Sequence, residues 1–240
     1  MDFENPRITA LYNKYYVDKS HPYHIYEGII NRYLTKDMTV LDAGCGRDAP
    51  VITGLKNSAK KLIGVDLVSF GKTAESDNIE LLNSNLESLP VKSQSVDMVI
   101  CRSVLEHLEY PELVFKEFNR VLKKGGFFVF LAPNFGDYVS IISRIIPNRL
   151  HPLIMSVTEG RDEADTFPTY YRANTFKQIS DLAFKTNFDI AFFEYLGQYP
   201  SNFTFSSLLF FLATIYDKWV AKYNSLRFLR AWILGGAKKI

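Results

Sequence analysis

A chain of 240 residues with 47% hydrophobic and 22% charged side chains is long enough to bury a substantial core, and its composition excludes wholesale disorder. Its 28 Lys and Arg against 26 Asp and Glu leave a net charge of +2, too small to imply a nucleic-acid partner. Two cysteines, Cys45 and Cys101, support neither a disulfide framework nor a zinc site, and the longest apolar run, 208–213, falls well short of the roughly 20 residues needed to span a bilayer.

The opening Met1-Asp2-Phe3-Glu4-Asn5-Pro6 lacks the basic start and apolar core of a secretory signal, so a cytoplasmic location is expected, with the inner face of the membrane left open. Residues 1–36 carry Tyr12, Tyr15, Tyr16, His21, Tyr23, His24 and Tyr26, followed by Ile25, Ile29, Ile30, Tyr33 and Leu34 at helical spacing. One or two helices leading into a sheet are expected, their aromatic stripe serving for packing or as a lid.

From Thr39 the pattern alternates regularly. Strands are expected at 39–43, at 61–65 running into Asp66, at 79–82, 96–101 and 127–131, with a helix over about 49–57 and an amphipathic helix over 111–122. The latter is read as stopping at Lys123-Lys124-Gly125-Gly126, with cations in the last turn and glycine beyond. Strands separated by helical segments build a parallel doubly wound sheet, in which ligands bind outside the carboxyl ends of the strands.

Residues 133–173 break the rhythm. They hold a short helix at 138–146, stops at Pro147 and Pro152, and a charged patch around Glu159, Arg161, Asp162, Glu163 and Asp165; a segment this long after a strand end reads as a substrate-covering insertion. Asn174 is the expected N-cap of a helix over 176–185. A sixth strand over 188–196, a helix over 203–223 that is apolar nearly all round, and a last strand over 230–234 complete the chain. The organisation expected is a single domain over 1–240. Within it, 1–37 forms a helical cap, 38–132 a cofactor-binding core, 133–173 the insertion and 174–240 the closing elements.

The turn after the first strand, Val40-Leu41-Asp42-Ala43-Gly44-Cys45-Gly46-Arg47-Asp48, organises the site. Strand, glycine turn and helix make half of a nucleotide-binding unit. A pyrophosphate would want neutral residues and free amides there, whereas Asp42 ahead of the glycines suits a cationic ligand.

With this turn come Gly64-Val65-Asp66, Asn85-Leu86-Glu87-Ser88-Leu89-Pro90, Ser95-Val96-Asp97-Met98-Val99, Val104-Leu105-Glu106-His107-Leu108, and 118–126 reading Phe-Asn-Arg-Val-Leu-Lys-Lys-Gly-Gly. Six pieces in this order, over about 38–134, resemble the class I S-adenosylmethionine-dependent methyltransferases, of the small-molecule, glycan and lipid-tailoring kind. The resemblance implies an α/β, Rossmann-like, doubly wound and mostly parallel seven-stranded sheet with an antiparallel last strand. It also implies S-adenosylmethionine as cofactor and no metal. By the same resemblance, Asp42, Gly44 and Gly46 would hold the methionine end of the cofactor. Asp66, 24 positions after Asp42, would take the ribose hydroxyls with Leu67 beside it, and Asn85 with Leu86 would meet adenine. Arg102 and Ser103 would lie by the methionine moiety. Asn85 departs from the commoner acid, yet its side-chain carbonyl can accept the adenine amine. Asp48 replaces the third glycine, which counts against a phosphate more than against methyl transfer. The plainer reading makes Gly44 and Gly46 a tight turn and Asp66 a turn or cap residue.

Methyl transfer from a sulfonium is an in-line displacement, dominated by positioning and by exclusion of water. For a hydroxyl acceptor a base helps, and His107, just past the fourth strand, is the first candidate. His151 is the second, and His21 or His24 the third. Tyr15, Tyr16, Tyr170, Tyr171 and Arg172 are candidate pocket walls. The segment Phe167-Pro168-Thr169-Tyr170-Tyr171-Arg172-Ala173-Asn174 resembles bacterial enzymes that modify polysaccharides and lipid-linked saccharides, which implies O-methylation of a saccharide or lipid-linked saccharide. The apolar helix is open to burial, to a homodimer contact or to peripheral contact with a membrane. Two rival functions remain: a catalytically inactive methyltransferase-like binding module, and a nicotinamide-dependent oxidoreductase, against which Asp42 and Asp48 argue.

Overall fold

The structure, a computed structural model, describes residues 3–17, 20–71, 77–145 and 167–240. Seven strands share one sheet: β1 (Thr39–Ala43), β2 (Lys61–Asp66), β3 (Ile79–Asn83), β4 (Val96–Arg102), β5 (Leu122–Pro133), β6 (Phe188–Leu196) and β7 (Trp232–Lys239), in the order β3-β2-β1-β4-β5-β7-β6. β1 to β5 pair in parallel. Strand order reverses between β1 and β4, which opens a crevice beyond their carboxyl ends. This is a mostly parallel, Rossmann-like α/β sheet closed by antiparallel last strands, where the family resemblance implies one such strand.

The central strands read as near-continuous apolar runs because both faces of the sheet are covered. Val40 and Leu41, Val96 to Cys101 apart from Asp97, and Phe128 to Ala132 are buried. The helices are α1 (Pro6–Tyr15), α2 (Pro22–Tyr33), α3 (Pro50–Gly54), α4 (Pro111–Val121), α5 (Tyr138–Ile145), α6 (Phe176–Lys185) and α7 (Ser207–Lys222). α4 shows the expected stripe, with Val114, Phe115, Phe118 and Val121 buried.

The helix expected over 49–57 is the shorter α3, Pro50–Gly54, and four further boundaries differ from the sequence reading for reasons visible in the contacts. Lys123-Lys124-Gly125-Gly126 does not terminate α4; it lies within β5. The ladder advances from Val96↔Leu122 to Met98↔Phe127, two residues on β4 against five on β5. Lys123 Nζ is held by both oxygens of Asp97 at 2.7 and 2.8 Å, and Gly125 takes φ +74°, so a bulge absorbs the apparent stop signal. The cap of α6 is Thr175 rather than Asn174. Thr175 Oγ1 accepts from Gln178 N at 3.2 Å, and the backbone N–H of Asn174, one residue before the cap, donates to Gln178 Oε1 at 3.0 Å, a variant of the capping box shifted by one residue. α7 starts at Ser207, capped by Ser206, because Ser201–Phe203 turns as a separate 3₁₀ segment. β7 starts later and runs further than 230–234, through Lys239, whose ammonium donates to the Leu122 carbonyl at 2.8 Å.

By packing, the described residues fall into two compact units. One contains those within 25–132, 168–194 and 234–240; the other contains those within 1–24, 133–167 and 195–233. In the first, Gly235 of β7 lies against the ring of Phe130, where a Cβ would stand 2.2 Å from Cζ. In the second, Ile8, Tyr16 and Phe210 are buried, with Phe3, Leu11, Tyr12, Tyr15, Tyr199 and Phe203 packed on them. Asn134 ties that unit together by donating through Nδ2 to the carbonyls of Phe228 and Arg230, both at 2.7 Å.

Candidate active site

The glycine turn is pinned to the end of β2. Gly44 and Cys45 donate their amides to the Val65 carbonyl at 2.8 and 3.2 Å, and Gly46 donates to Asp66 Oδ2 at 2.7 Å. Asp66 Oδ1 accepts from Leu67 N at 2.7 Å and Val68 N at 3.2 Å, so this carboxylate organises three backbone amides. Gly44 and Gly46 sit at φ +76° and +74°, where a side chain is strained. Their surroundings differ. A Cβ on Gly44 would stand 2.2 Å from Val104 Cγ2, whereas one on Gly46 would meet nothing within 4 Å.

Asp42 is almost wholly buried, and among the described residues its Oδ2 has no hydrogen-bond partner. Burial pushes its carboxyl up to about 7; the Arg102 guanidinium opposes that shift, and Asp66 adds to it. A buried carboxylate with an unmatched oxygen is costly unless a cation or donor meets it. Tyr26 of α2 is fully buried in the same neighbourhood, its phenol held well above its ordinary range by desolvation and then by Asp42. Arg102 Nη1 lies 3.5 Å from Glu27 Oε1. The sequence reading placed Tyr26 in a packing stripe and did not single out Glu27; the only sequence signal was their position on the helix leading into β1.

Ser103 occupies φ +57°, and its amide is fixed on the Leu131 carbonyl at 2.8 Å. Such a non-glycine residue at a strand end is a feature of functional edges. Asn85 is exposed, and its Oδ1 accepts from Glu87 N at 3.0 Å, so a local Asx turn occupies one lone pair of the carbonyl expected to meet adenine. Leu86 beside it is buried, and Leu67 is exposed.

His107 lies in the 3₁₀ turn Leu105–His107, between β4 and α4. Its Nδ1 is 2.9 Å from the Pro168 carbonyl, which can only accept, so Nδ1 carries the proton and Nε2 is the basic nitrogen of the neutral ring. Nε2 lies 3.8 Å from Glu106 Oε1. Residues 168–172 are laced to this turn. The amides of Tyr170 and Tyr171 donate to the Glu106 carbonyl at 2.7 and 3.1 Å, Arg172 Nη1 donates to the Glu109 carbonyl at 2.6 Å, and the guanidinium stands 5.4 Å from the Tyr170 ring centre. The structure thus brings His107, Tyr170, Tyr171 and Arg172 together. Tyr15 and Tyr16 belong to the other unit, where the Tyr16 hydroxyl donates to Asp217 Oδ2 at 3.1 Å. In that same unit His21 and His24 line a cavity of about 410 Å³ with Tyr12, Tyr16 and Tyr199. His151 lies outside the described residues.

Residues 41–130 match the family model described as a methyltransferase domain. The chain carries a class I, S-adenosylmethionine-dependent methyltransferase domain. A Mesorhizobium loti S-adenosylmethionine-dependent methyltransferase superposes with a TM-score of 0.57 over 92% of this chain and 99% of its own, at 15% identity, a likeness of fold. Protein arginine N-methyltransferase 1 of Saccharomyces cerevisiae is 30% identical over 68% of this chain and 56% of its own length. A ubiquinone biosynthesis O-methyltransferase of Coxiella burnetii is 26% identical over 52% of this chain and 58% of its own. The chain therefore spans little more than half the length of these curated relatives.

S-Adenosylmethionine is the cofactor of this domain. The residues present fit it: a buried acid with an unmatched oxygen suits its ammonium, and the open space above Gly46 admits a ligand close to the backbone. When bound, the cofactor supplies an electrophilic methyl on a sulfonium.

Proposed function

We propose that this protein transfers a methyl group from S-adenosylmethionine to a hydroxyl of a saccharide or lipid-linked saccharide. The observation that carries the cofactor half is the buried, unmatched Asp42 carboxylate at the glycine turn of a matched methyltransferase domain. Asp42 would meet the ammonium, Arg102 and Ser103 would flank the methionine moiety, and Asp66 with Leu67, Asn85 and Leu86 would bind the ribose and adenine. The acceptor half rests on the His107 turn. The Pro168 carbonyl fixes a tautomer with Nε2 basic, and Tyr170, Tyr171 and Arg172, tied to the same turn, would serve as pocket walls. His107 Nε2 would take the proton that the acceptor hydroxyl gives up, the methyl–sulfur bond breaking as the methyl–oxygen bond forms so that the cofactor would leave as its neutral thioether, and the chain's remaining task is to orient the acceptor in line and exclude water.

Titration calorimetry with S-adenosylmethionine, its demethylated product and NAD tests the reading. The first two are expected to bind; binding of NAD alone would overturn it, and cofactor binding without turnover of any glycan or lipid in a mass-shift screen would favour a binding module. Asp66→Ala is expected to weaken cofactor affinity by about 1–3 kcal/mol, and an unchanged affinity would remove Asp66 from the site. His107→Gln is expected to lower turnover roughly 10²- to 10⁴-fold with cofactor affinity unchanged. Retention of full turnover would make that histidine a structural tether only.

A further inference from the structure

We propose that the outer face of α7 docks on an anionic lipid surface. α7 is apolar on two opposite sides. One side is core, with Phe210, Ala213, Thr214 and Val220 buried, and α1 and the flanking 3₁₀ turns pack along the helix. On the other side Leu208, Phe211, Leu212, Ile215 and Trp219 recur at i, i+3, i+4, i+7 and i+11 and are 40–65% exposed. That spacing is one continuous stripe. Phe205 and Tyr223 extend it at the two ends, both exposed. An apolar stripe of this length is exceptional on a free surface and marks a contact.

Charge selects the occupant. Residues 195–233 hold Lys218, Lys222, Arg227 and Arg230 against a single acid, Asp217, which is half-buried and accepts the Tyr16 hydroxyl. Lys218 and Lys222 border the stripe, Lys222 lying 5.4 Å from the ring centre of Tyr223 and Lys218 5.1 Å from that of Tyr15. A second copy placed on this face would set Lys218 and Lys222 against their own counterparts, like charge against like. Phosphate headgroups answer them, and amphipathic Trp219 and Tyr223 beside lysines have the make-up of residues that settle at the headgroup level. At 16 residues α7 is too short to span a bilayer, so the contact is one in which the helix lies along the surface. The inference does not depend on methyl transfer, because lipid binding is read on the chain alone.

The test is co-sedimentation of the full chain, without cofactor, with phosphatidylcholine vesicles that contain or lack phosphatidylglycerol. The indole emission of Trp219 is followed against a Trp232→Phe background. Binding is expected only with the anionic lipid, with a blue shift of that emission and loss in high salt. Lys218→Gln with Lys222→Gln is expected to weaken it about twentyfold or more, and Leu212→Glu with Ile215→Glu to abolish it. Thermal melts of both variants at the wild-type midpoint show that the fold is intact, which these exposed positions permit. Equal partition into both vesicle types, or none into either, would overturn the proposal. So would a dimer in light scattering that the Leu212→Glu, Ile215→Glu variant dissolves in the absence of vesicle binding.

Discussion

Replacing Asp42 by Asn is expected to weaken S-adenosylmethionine binding by about 1.5–3 kcal/mol while stabilising the ligand-free protein at alkaline pH. The two effects have one cause. The Asp42 carboxyl is raised by burial from 3.8 to about 7, so folding favours its protonated form. A group raised in this way contributes stability that is fully present below its unfolded value and is lost as pH climbs through the folded one. For Asp42 that window runs from about pH 4 to 7, and the loss amounts to roughly 4 kcal/mol. Asparagine cannot ionise and loses nothing there. Binding has the opposite sign. A cationic ligand needs the ionised carboxylate, so wild-type affinity rises up to about tenfold per pH unit below pH 7 and levels off above it, whereas the variant shows no such slope. Calorimetric titrations and thermal melts at pH 5.5, 7 and 8.5 check both halves. Asp137, also raised by burial, to about 6, adds a slope of the same sign to the melts, common to both proteins. Parallel affinity curves for wild type and variant would show that Asp42 meets no cation.

Gly44→Ala is expected to cost about 2–4 kcal/mol of stability, and Gly46→Ala only about 1–2 kcal/mol. Both residues take the same left-handed backbone, so both pay the conformational cost of a side chain there. Only at Gly44 does the added carbon collide, 2.2 Å from Val104 Cγ2, in a segment where Ser103 N is already fixed on Leu131. Denaturant unfolding of the two variants side by side separates the terms. Equal losses would mean that Val104 moves aside freely and that the backbone alone requires glycine.

The site residues fall into groups of unequal legibility. β1, β2 and β6 fall on the residues expected, because their apolar runs are bounded by turn residues and no competing interaction shifts them. The end of α4 falls within one residue of its expected place, but the early start of β5 is hidden because Lys-Lys-Gly-Gly carries the chemistry of a helix stop, while the Asp97–Lys123 pair and the bulge that use those residues depend on β4, a distant stretch of chain. The glycine turn was legible as a turn, since backbone geometry is written in the glycines themselves. That Asp66 would hold the Gly46 amide was not, because a side chain's hydrogen-bond partner is set by the approach of two strands. Tyr26 and Glu27 stayed hidden for the same reason. Their neighbours Asp42 and Arg102 lie on β1 and β4, and helical periodicity describes only the face a residue occupies.

The position of β7 bears on how the chain comes to be folded. The last strand in sequence does not add to the sheet's margin; it slots between β5 and β6. Until residues 232–239 exist, β6 has no neighbour in the sheet, and β5 presents an unpaired row of amides and carbonyls. During synthesis the nucleotide-binding half can therefore assemble from local parallel units, while completion waits for pairings of long sequence separation, which form slowly. The nascent chain spends that interval with an apolar strand edge uncovered, the state in which chaperones are needed and aggregation begins.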